Sequence, residues 1–256
     1  MAGTMAVVQA QRDVFHVRGH AVNWILLRDG RDLTLIDTGY PGDLAAVEES
    51  ITRIGHQPQD LRAILITHCH IDHVGGASRL AARYGIPVYV HAREVPLARG
   101  EVREQASPLD VARRCWRPRV ARWALEVVRA GGTRPPVVPE AAALPGDGPL
   151  DLPGRPTPLP SPGHTSGHCG YLIPDAGAVA TGDALVTDHP TGPGPGPQVL
   201  AAMFCHAPGE TLAGLEVFAE APADLLLPGH GPLWRGDPRR AVAEARAHAP
   251  AGYRPG

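Results

Sequence analysis

A chain of 256 residues is long enough to bury a full core and fits one large domain or two small ones. A hydrophobic share of 43%, with no apolar run near the ~18 residues of a membrane span, argues against a membrane protein. A net charge of −2 argues against a general nucleic-acid binder.

Four cysteines (Cys69, Cys115, Cys169 and Cys205) are few and widely spaced, which reads as free thiols and not as a disulfide framework. The stretch 1–13 lacks a charged region followed by an apolar one, so the protein is expected to be cytoplasmic. Every basic residue is arginine, which together with abundant Ala, Gly and Pro points to a coding bias more than to a stability device.

Taken in chain order, residues 14–17, 21–27 and 33–36 are apolar or β-branched runs that predict strands, with Asp29-Gly30 as a hairpin signal. Asp37 closes the third run. Its carboxylate fits either of two tasks, orienting a ligand histidine from behind or capping its own loop. Asp43 reads as a helix N-cap, followed by Leu44, Val47, Ile51 and Ile54 at helical spacing, with Gly55 as the stop.

Residues 63–66 predict a buried strand, and the densest chemistry in the chain follows it. In Thr67-His68-Cys69-His70-Ile71-Asp72-His73-Val74-Gly75-Gly76, three histidines and a carboxylate fall within six residues. Ordinary hydrogen bonding in a polar loop does not need that density. Imidazole nitrogen and carboxylate oxygen are ligands that zinc, iron and manganese accept. The spacing lets one loop offer His68 and His70 to one metal while Asp72 and His73 turn toward a second. Gly75-Gly76 suit a tight turn into a helix packed close by.

That helix is expected over 77–84, ending at Gly85, with a strand over 87–90 and a structural His91 behind it. Alternating strands and helices predict an α/β layered domain.

Residues 93–131 differ. Leu109, Ala112, Trp116, Val120, Trp123 and Val127 step by three or four, so a helical pair with an apolar face is expected, broken or kinked at Pro118. Arg103, Arg113, Arg114, Arg117, Arg119, Arg122 and Arg129 make it basic. They fit a solvated face or, alternatively, a lid that steers an anionic substrate. Trp116 and Trp123 fit that lid or a homodimer interface.

Residues 131–163 predict turns and short strands. They lead to Ser161-Pro162-Gly163-His164-Thr165, which sets His164 in a rigid turn. Runs at 171–173 and 178–180 read as strands, the second ending in Thr181-Gly182-Asp183. Residues 184–206 form an irregular loop in which His189 is the best candidate for substrate contact, while His168 reads as structural. A helix near 209–220 precedes an apolar run, 225–227, that ends at Pro228-Gly229-His230-Gly231, and a helix over about 238–247 follows. Each candidate ligand thus follows a short apolar run and sits in a Gly- or Pro-containing turn. Loops from one sheet edge would converge on one site.

Five motifs in this order resemble the metallo-β-lactamase fold superfamily. They are Asp37 in Ile-Asp-Thr-Gly, the His68-x-His70-x-Asp72-His73 box, His164 in Pro-Gly-His-Thr, Asp183 in Thr-Gly-Asp and His230 in Pro-Gly-His-Gly. The resemblance spans residues 14–245. It implies an α/β fold, a four-layer αβ/βα sandwich taken as a single domain over 1–256, with a helical lid-like insertion at about 93–131. It also implies one metal held by His68, His70 and His164, and a second held by Asp72, His73 and His230, with Asp183 as a bridge.

A carboxylate at Asp183 resembles the glyoxalase II, lactonase and ribonuclease Z branches, whereas class B β-lactamases often place cysteine or serine there. Penicillin hydrolysis is therefore disfavoured, and Cys69, Cys169 and Cys205 read as structural. The implied activity is a dinuclear zinc hydrolase, with two Zn²⁺ per chain and iron or manganese as alternatives. A hydroxide shared by the two ions would attack a small ester, thioester or lactone, with Asp72 orienting the nucleophile and shuttling its proton. The alternatives are a mononuclear iron enzyme of the persulfide dioxygenase kind and, lower, a phosphodiesterase or ribonuclease. Tyr171 is the nearest candidate for the tyrosine that lactonase relatives use, without matching that motif.

Overall fold

The fold is built on two sheets whose central strands are buried on both faces. The computed structural model describes residues 5–134, 136–250 and 252–253. The first four residues of the N-terminal stretch and Pro135 of the 131–163 segment lie outside the described residues.

The first sheet runs β1 (Ala6–Gln11), β2 (Val14–Arg18), β3 (Asn23–Asp29), β4 (Asp32–Ile36), β5 (Leu61–Leu65), β6 (Val88–Val90) and β7 (Ala142–Ala143), in that spatial order. Its first four strands are antiparallel neighbours and the last four are parallel. Parallel neighbours need crossovers. These are α1 (Leu44–Arg53) between β4 and β5, α2 (Ile71–Val74) and α3 (Ala77–Tyr84) between β5 and β6, and the insertion between β6 and β7, with α4 (Val95–Ala98), α5 (Pro108–Ala112) and α6 (Pro118–Arg129).

The second sheet has β8 (Thr157–Pro160), β9 (Cys169–Ile173), β10 (Ala178–Gly182), β11 (Leu225–Pro228) and β12 (Trp234–Arg235) in the order β12-β11-β10-β9-β8. The helices α7 (Pro208–Gly214), α8 (Glu216–Ala219) and α9 (Pro238–Ala247) complete the chain.

Side-chain alternation assembles the layers. On β3, Trp24 and Leu26 face one way, into a cluster with Val47 and Ile51 of α1 and Leu80 of α3. Ile25 and Leu27 face the other way and meet Tyr171, Ala180, Leu225 and Leu227 of the second sheet. On the far side, Val179 and Leu226 meet Phe218, Ala241 and Val242 of α8 and α9. Three apolar seams between four layers give the αβ/βα sandwich.

Several local expectations meet a different outcome. β1 goes unread in the sequence because it is an edge strand, mostly exposed, whose short apolar start, Ala6-Val7-Val8, gives way to polar residues. Asp43 stands at the N-cap of α1, but its carboxylate accepts the Tyr40 N–H at 2.9 Å and no N–H of the helix. Asp72 and His73 lie on the helical turn α2, not in a loop. The helix expected near 209–220 divides at Leu215 into α7 and α8. Pro118 breaks the insertion by starting α6 at its first position, where a missing N–H costs nothing. Among the described residues no helix is long and apolar enough to cross a membrane.

One buried polar link ties the sheets together. His16 on β2 is fully buried, and its Nε2 donates to the Pro228 carbonyl, 3.2 Å away at the end of β11. Burial, with only partial compensation from that bond, lowers its pKa from 6.5 to about 4. The folded state therefore binds fewer protons than the unfolded chain between those values, and stability falls as pH drops from 6.5 toward 4. The depression corresponds to about 3 kcal/mol, lost in full only once the pH falls below about 4. His16→Gln should remove this part of the acid sensitivity. Urea midpoints at roughly pH 7 and roughly pH 4.5 should lie closer together for the variant than for the wild type, and an unchanged gap would assign the acid sensitivity elsewhere.

Candidate metal centre

The loops that leave β4, β5, β8, β10 and β11 converge at one edge of the sandwich. They bring all seven expected metal-ligating residues together, in two groups: His68, His70 and His164; and Asp72, His73, Asp183 and His230.

In the first group, His164 Nε2 lies 3.1 Å from His68 Nε2 and 2.9 Å from His70 Nδ1. The outward nitrogens fix which atoms carry protons. His70 Nε2 donates to the Glu104 carbonyl at 2.9 Å, since a carbonyl only accepts. Thr67 Oγ1 gives its proton to Asp37, so His68 Nδ1 donates to that hydroxyl at 3.0 Å. The inward nitrogens of His68 and His70 therefore carry lone pairs. Burial and the surrounding imidazoles hold His68 well below the ordinary histidine range, and burial followed by His70 does the same for His164. The lone pairs of His68 and His70 converge on His164 Nε2 within about 3 Å in a buried pocket, an arrangement that suits a cation.

The second group is more strongly charged. Asp183 Oδ1 lies 3.3 Å from His73 Nε2, and its Oδ2 lies 3.1 Å from His230 Nε2. Asp72 Oδ2 is 3.3 Å from His230 Nε2 and 3.8 Å from His73 Nε2. Burial disfavours charge on all four. It is outweighed: the Asp183, Asp37 and Asp72 carboxylates hold His73 well above the usual range, and Asp183 and Asp72 push His230 up to about 10. The same imidazoles hold Asp72 and Asp183 below the usual carboxylate range. Without a metal, protons supply the positive charge. His73 Nε2 and Asp183 Oδ1 are buried with no hydrogen-bond partner among the described residues, as expected of atoms aimed at an ion.

Asp37 performs the first of the two tasks open to it in the sequence, and the loop it caps is not its own but the one after β5. Its Oδ2 accepts from His73 Nδ1 at 2.8 Å, and its Oδ1 accepts the Thr67 N–H at 2.9 Å. Other supports were not visible in the sequence. Glu94, fully buried, accepts from the Cys69 N–H at 2.7 Å, the Thr165 hydroxyl at 2.6 Å and the Gly167 N–H at 2.9 Å, joining the loops that carry His68 and His164. His168 Nε2 accepts the Asp183 N–H at 3.1 Å and so positions that carboxylate; its pKa is lowered to about 3, by burial first.

A family model described as the metallo-β-lactamase superfamily matches residues 17–230. The chain belongs to the metallo-β-lactamase superfamily. A probable metallo-hydrolase of Bacillus subtilis, YflN, is 30% identical over 159 residues, 60% of this chain and 55% of that protein. A hydroxyacylglutathione hydrolase of Acidiphilium cryptum is 32% identical over 191 residues, 74% of this chain and 57% of that one. The chain thus spans little more than half the length of these two relatives. Among solved structures, Rm3 metallo-β-lactamase shares the fold, with a TM-score of 0.68 and 20% identity over 96% of this chain and 93% of that one. A metallo-β-lactamase family protein from Thermus thermophilus aligns with a TM-score of 0.59 and 28% identity, over 89% of this chain and 74% of that one.

Around this superfamily centre the insertion and the 184–206 loop wall a cavity of about 530 Å³, with Asp72, Asp183, His164 and His230 at its base. His189 lines it, its ring 5.1 Å from those of Trp123 and His230, which fits the expected substrate contact. Tyr40 lines it too. Burial and then the Asp72 and Asp183 carboxylates raise its pKa well above 10, so its hydroxyl keeps its proton.

Tyr171 does not reach the cavity: its hydroxyl donates to the Ile66 carbonyl at 3.0 Å inside the inter-sheet seam. His91 caps a turn by accepting the Arg93 N–H. None of the four cysteines, all free, belongs to either group, although Cys205 Sγ lies 3.6 Å from His164 Nδ1 and contacts the Tyr253 hydroxyl at 2.9 Å.

Of the seven arginines singled out in the insertion, Arg103 alone lines the cavity. Arg113 pairs with Asp110, Arg119 with Asp188 and Arg122 with Glu126, all at the exposed surface.

Asp37→Asn should weaken metal binding at the second group by roughly 10- to 100-fold, because the amide keeps one acceptor where both carboxylate oxygens accept and removes the charge behind His73. Competition with a chromophoric chelator measures this. An unchanged affinity would reduce Asp37 to a loop cap.

Proposed function

We propose that this chain is a dinuclear metal-dependent hydrolase of small esters, thioesters or lactones. His68 Nε2, His70 Nδ1 and His164 Nε2 would hold one ion; Asp72, His73 Nε2 and His230 Nε2 the other; Asp183 would bridge them. One observation carries this reading: the Asp183 carboxylate touches both groups, its Oδ2 3.9 Å from His68 Nε2 and 3.7 Å from His164 Nε2, with His73 and His230 on its other side. The nitrogen and carboxylate donor set favours zinc over the harder alkaline-earth ions, with iron and manganese as competitors.

Bound divalent ions supply Lewis acidity and lower the pKa of a coordinated water from about 15.7 toward about 7. The chain's own residues do the rest. Asp72 faces the cavity beside His230 and would take the proton of the attacking water and return it to the leaving group. Tyr40, kept protonated, would donate a hydrogen bond to the carbonyl or leaving-group oxygen. A substrate filling the cavity would displace its water, which would strengthen each of these interactions. Hydroxyacylglutathione hydrolases among the relatives support a thioester or ester as the reacting bond.

Elemental analysis of protein purified without added metal or chelator should find about two zinc ions per chain. About one iron would overturn the reading in favour of a mononuclear iron enzyme. Asp183→Ala should lose one ion and at least roughly 100-fold in turnover while circular dichroism stays unchanged. Retained turnover would end the dinuclear mechanism. The paired change of Arg113 and Arg117 to alanine should leave KM for an anionic thioester unaltered, since neither arginine lines the cavity. A raised KM would restore the steering role.

A further inference from the structure

The cavity's walls say more about the substrate than its base does. Val111 and Ala112 of α5, Trp123 and Val127 of α6, and Leu200 and Phe204 of the 184–206 loop line its interior. Its rim is apolar as well: Val102, Val128 and Val137 line it while remaining 45%, 56% and 49% exposed. Exposed valines gathered at the mouth of a cavity mark a path for apolar matter.

The charged groups point elsewhere or are already engaged. The arginines of α6 that form ion pairs do so at the outer surface. Glu104 accepts the Ser166 N–H at 2.7 Å and lies 3.6 Å from His206. Among the described residues that leaves Arg103 as the one arginine of the insertion at the cavity, too little to neutralise a carrier with several carboxylates.

We infer that the site takes esters or thioesters whose acyl part is an uncharged, apolar chain several carbons long, lodged between α5, α6 and the Leu200–Phe204 segment. The inference rests on the hydrolase reading for the reacting bond but not for the place of the chain. A volume of about 530 Å³ lies within the range of small-molecule sites and accommodates such a chain beside the carbonyl. In the reaction the acyl C–O or C–S bond breaks and the oxygen of water bonds to the acyl carbon. One proton of that water passes to the leaving alkoxide or thiolate.

Binding and turnover test the two readings separately. Calorimetry with the as-purified protein and the uncleaved amides butanamide, hexanamide and octanamide should show Kd falling about three- to fourfold for each methylene added. Val128→Asp should flatten that series, and Val137→Asp, outside any helix, gives the same test if the first variant fails to fold. Leu125→Asp, on α6 but not lining the cavity, should preserve it. In parallel, kcat/KM for simple alkyl thioesters should rise from acetyl to octanoyl and exceed that for a hydroxyacylglutathione thioester. Equal affinities for the three amides, or a preference for the charged glutathione thioester, would overturn the inference. A rising amide series with no turnover of any ester or thioester would uphold the cavity assignment and overturn the hydrolase reading instead.

Discussion

The constraint on which the molecule depends is the aiming of seven nitrogen and oxygen donors, all buried but the half-buried Asp72, into two adjoining groups. Left alone, such donors repel or take up protons. Here their direction is set from behind: His68 by Thr67, His70 by the Glu104 carbonyl, His73 by Asp37 and His230 by the Ala21 carbonyl. Each outer bond chooses a tautomer and leaves the other nitrogen facing inward. The two groups meet the electrostatic cost differently. In the first, burial holds His68 and His164 below the ordinary histidine range, whereas in the second the carboxylates raise His73 and His230 above it. A cation entering the second group must displace the protons held there, which couples metal affinity to pH through this group more than through the first.

Such aiming requires a base that does not shift, and the three apolar seams provide it. The ligand loops come from both sheets, so any sliding of one sheet on the other would separate the groups. Polar links across the seam resist this. Asn23, at the start of β3, donates through Nδ2 to the Pro228 carbonyl at 2.9 Å and the Gly231 carbonyl at 2.8 Å, clamping the turn that carries His230. Close approach also limits residue choice. A methyl group on Gly229 would overlap Asp183 Oδ1 and His73 Cε1, and one on Gly75 would overlap the backbone at Tyr40 and Pro41. These glycines serve proximity, since neither has a positive φ.

The sequence discloses this centre unevenly, for physical reasons. His68 to His73, His164, Asp183 and His230 are legible because each ends an apolar run, and a strand end at a sheet edge is where loops converge. Asp37 is legible as a position, but only contact with His73 and Thr67 decides its task. Glu94 and His168 carry no local signal, since their partners lie dozens of residues away or across a turn and their burial follows from the tertiary fold alone. β1 is hidden for the opposite reason: an exposed edge strand needs no apolar alternation to form its ladder with β2.

The insertion separates recognition from chemistry. Its basic character is plain in the sequence, yet its arginines mostly turn outward while Val120 and Trp123 turn in, so charge count misleads about what the cavity offers. A charged side chain facing outward keeps its hydration, whereas one facing the cavity would need a partner to offset desolvation. The apolar face is therefore left to line the space over the metal-binding edge. The donors lie on turns fixed by two sheets, and the walls lie on the insertion, where α6 fully buries only Val120 and Trp123 and rests Val127 against Val22, Tyr40 and Ile71. Changes at wall residues other than Glu104, whose carbonyl orients His70, can then alter what binds without touching the groups that orient the ligands. On the reading proposed above, the groups that would meet an acyl chain and those that would hold the metals come from largely different segments of the same fold.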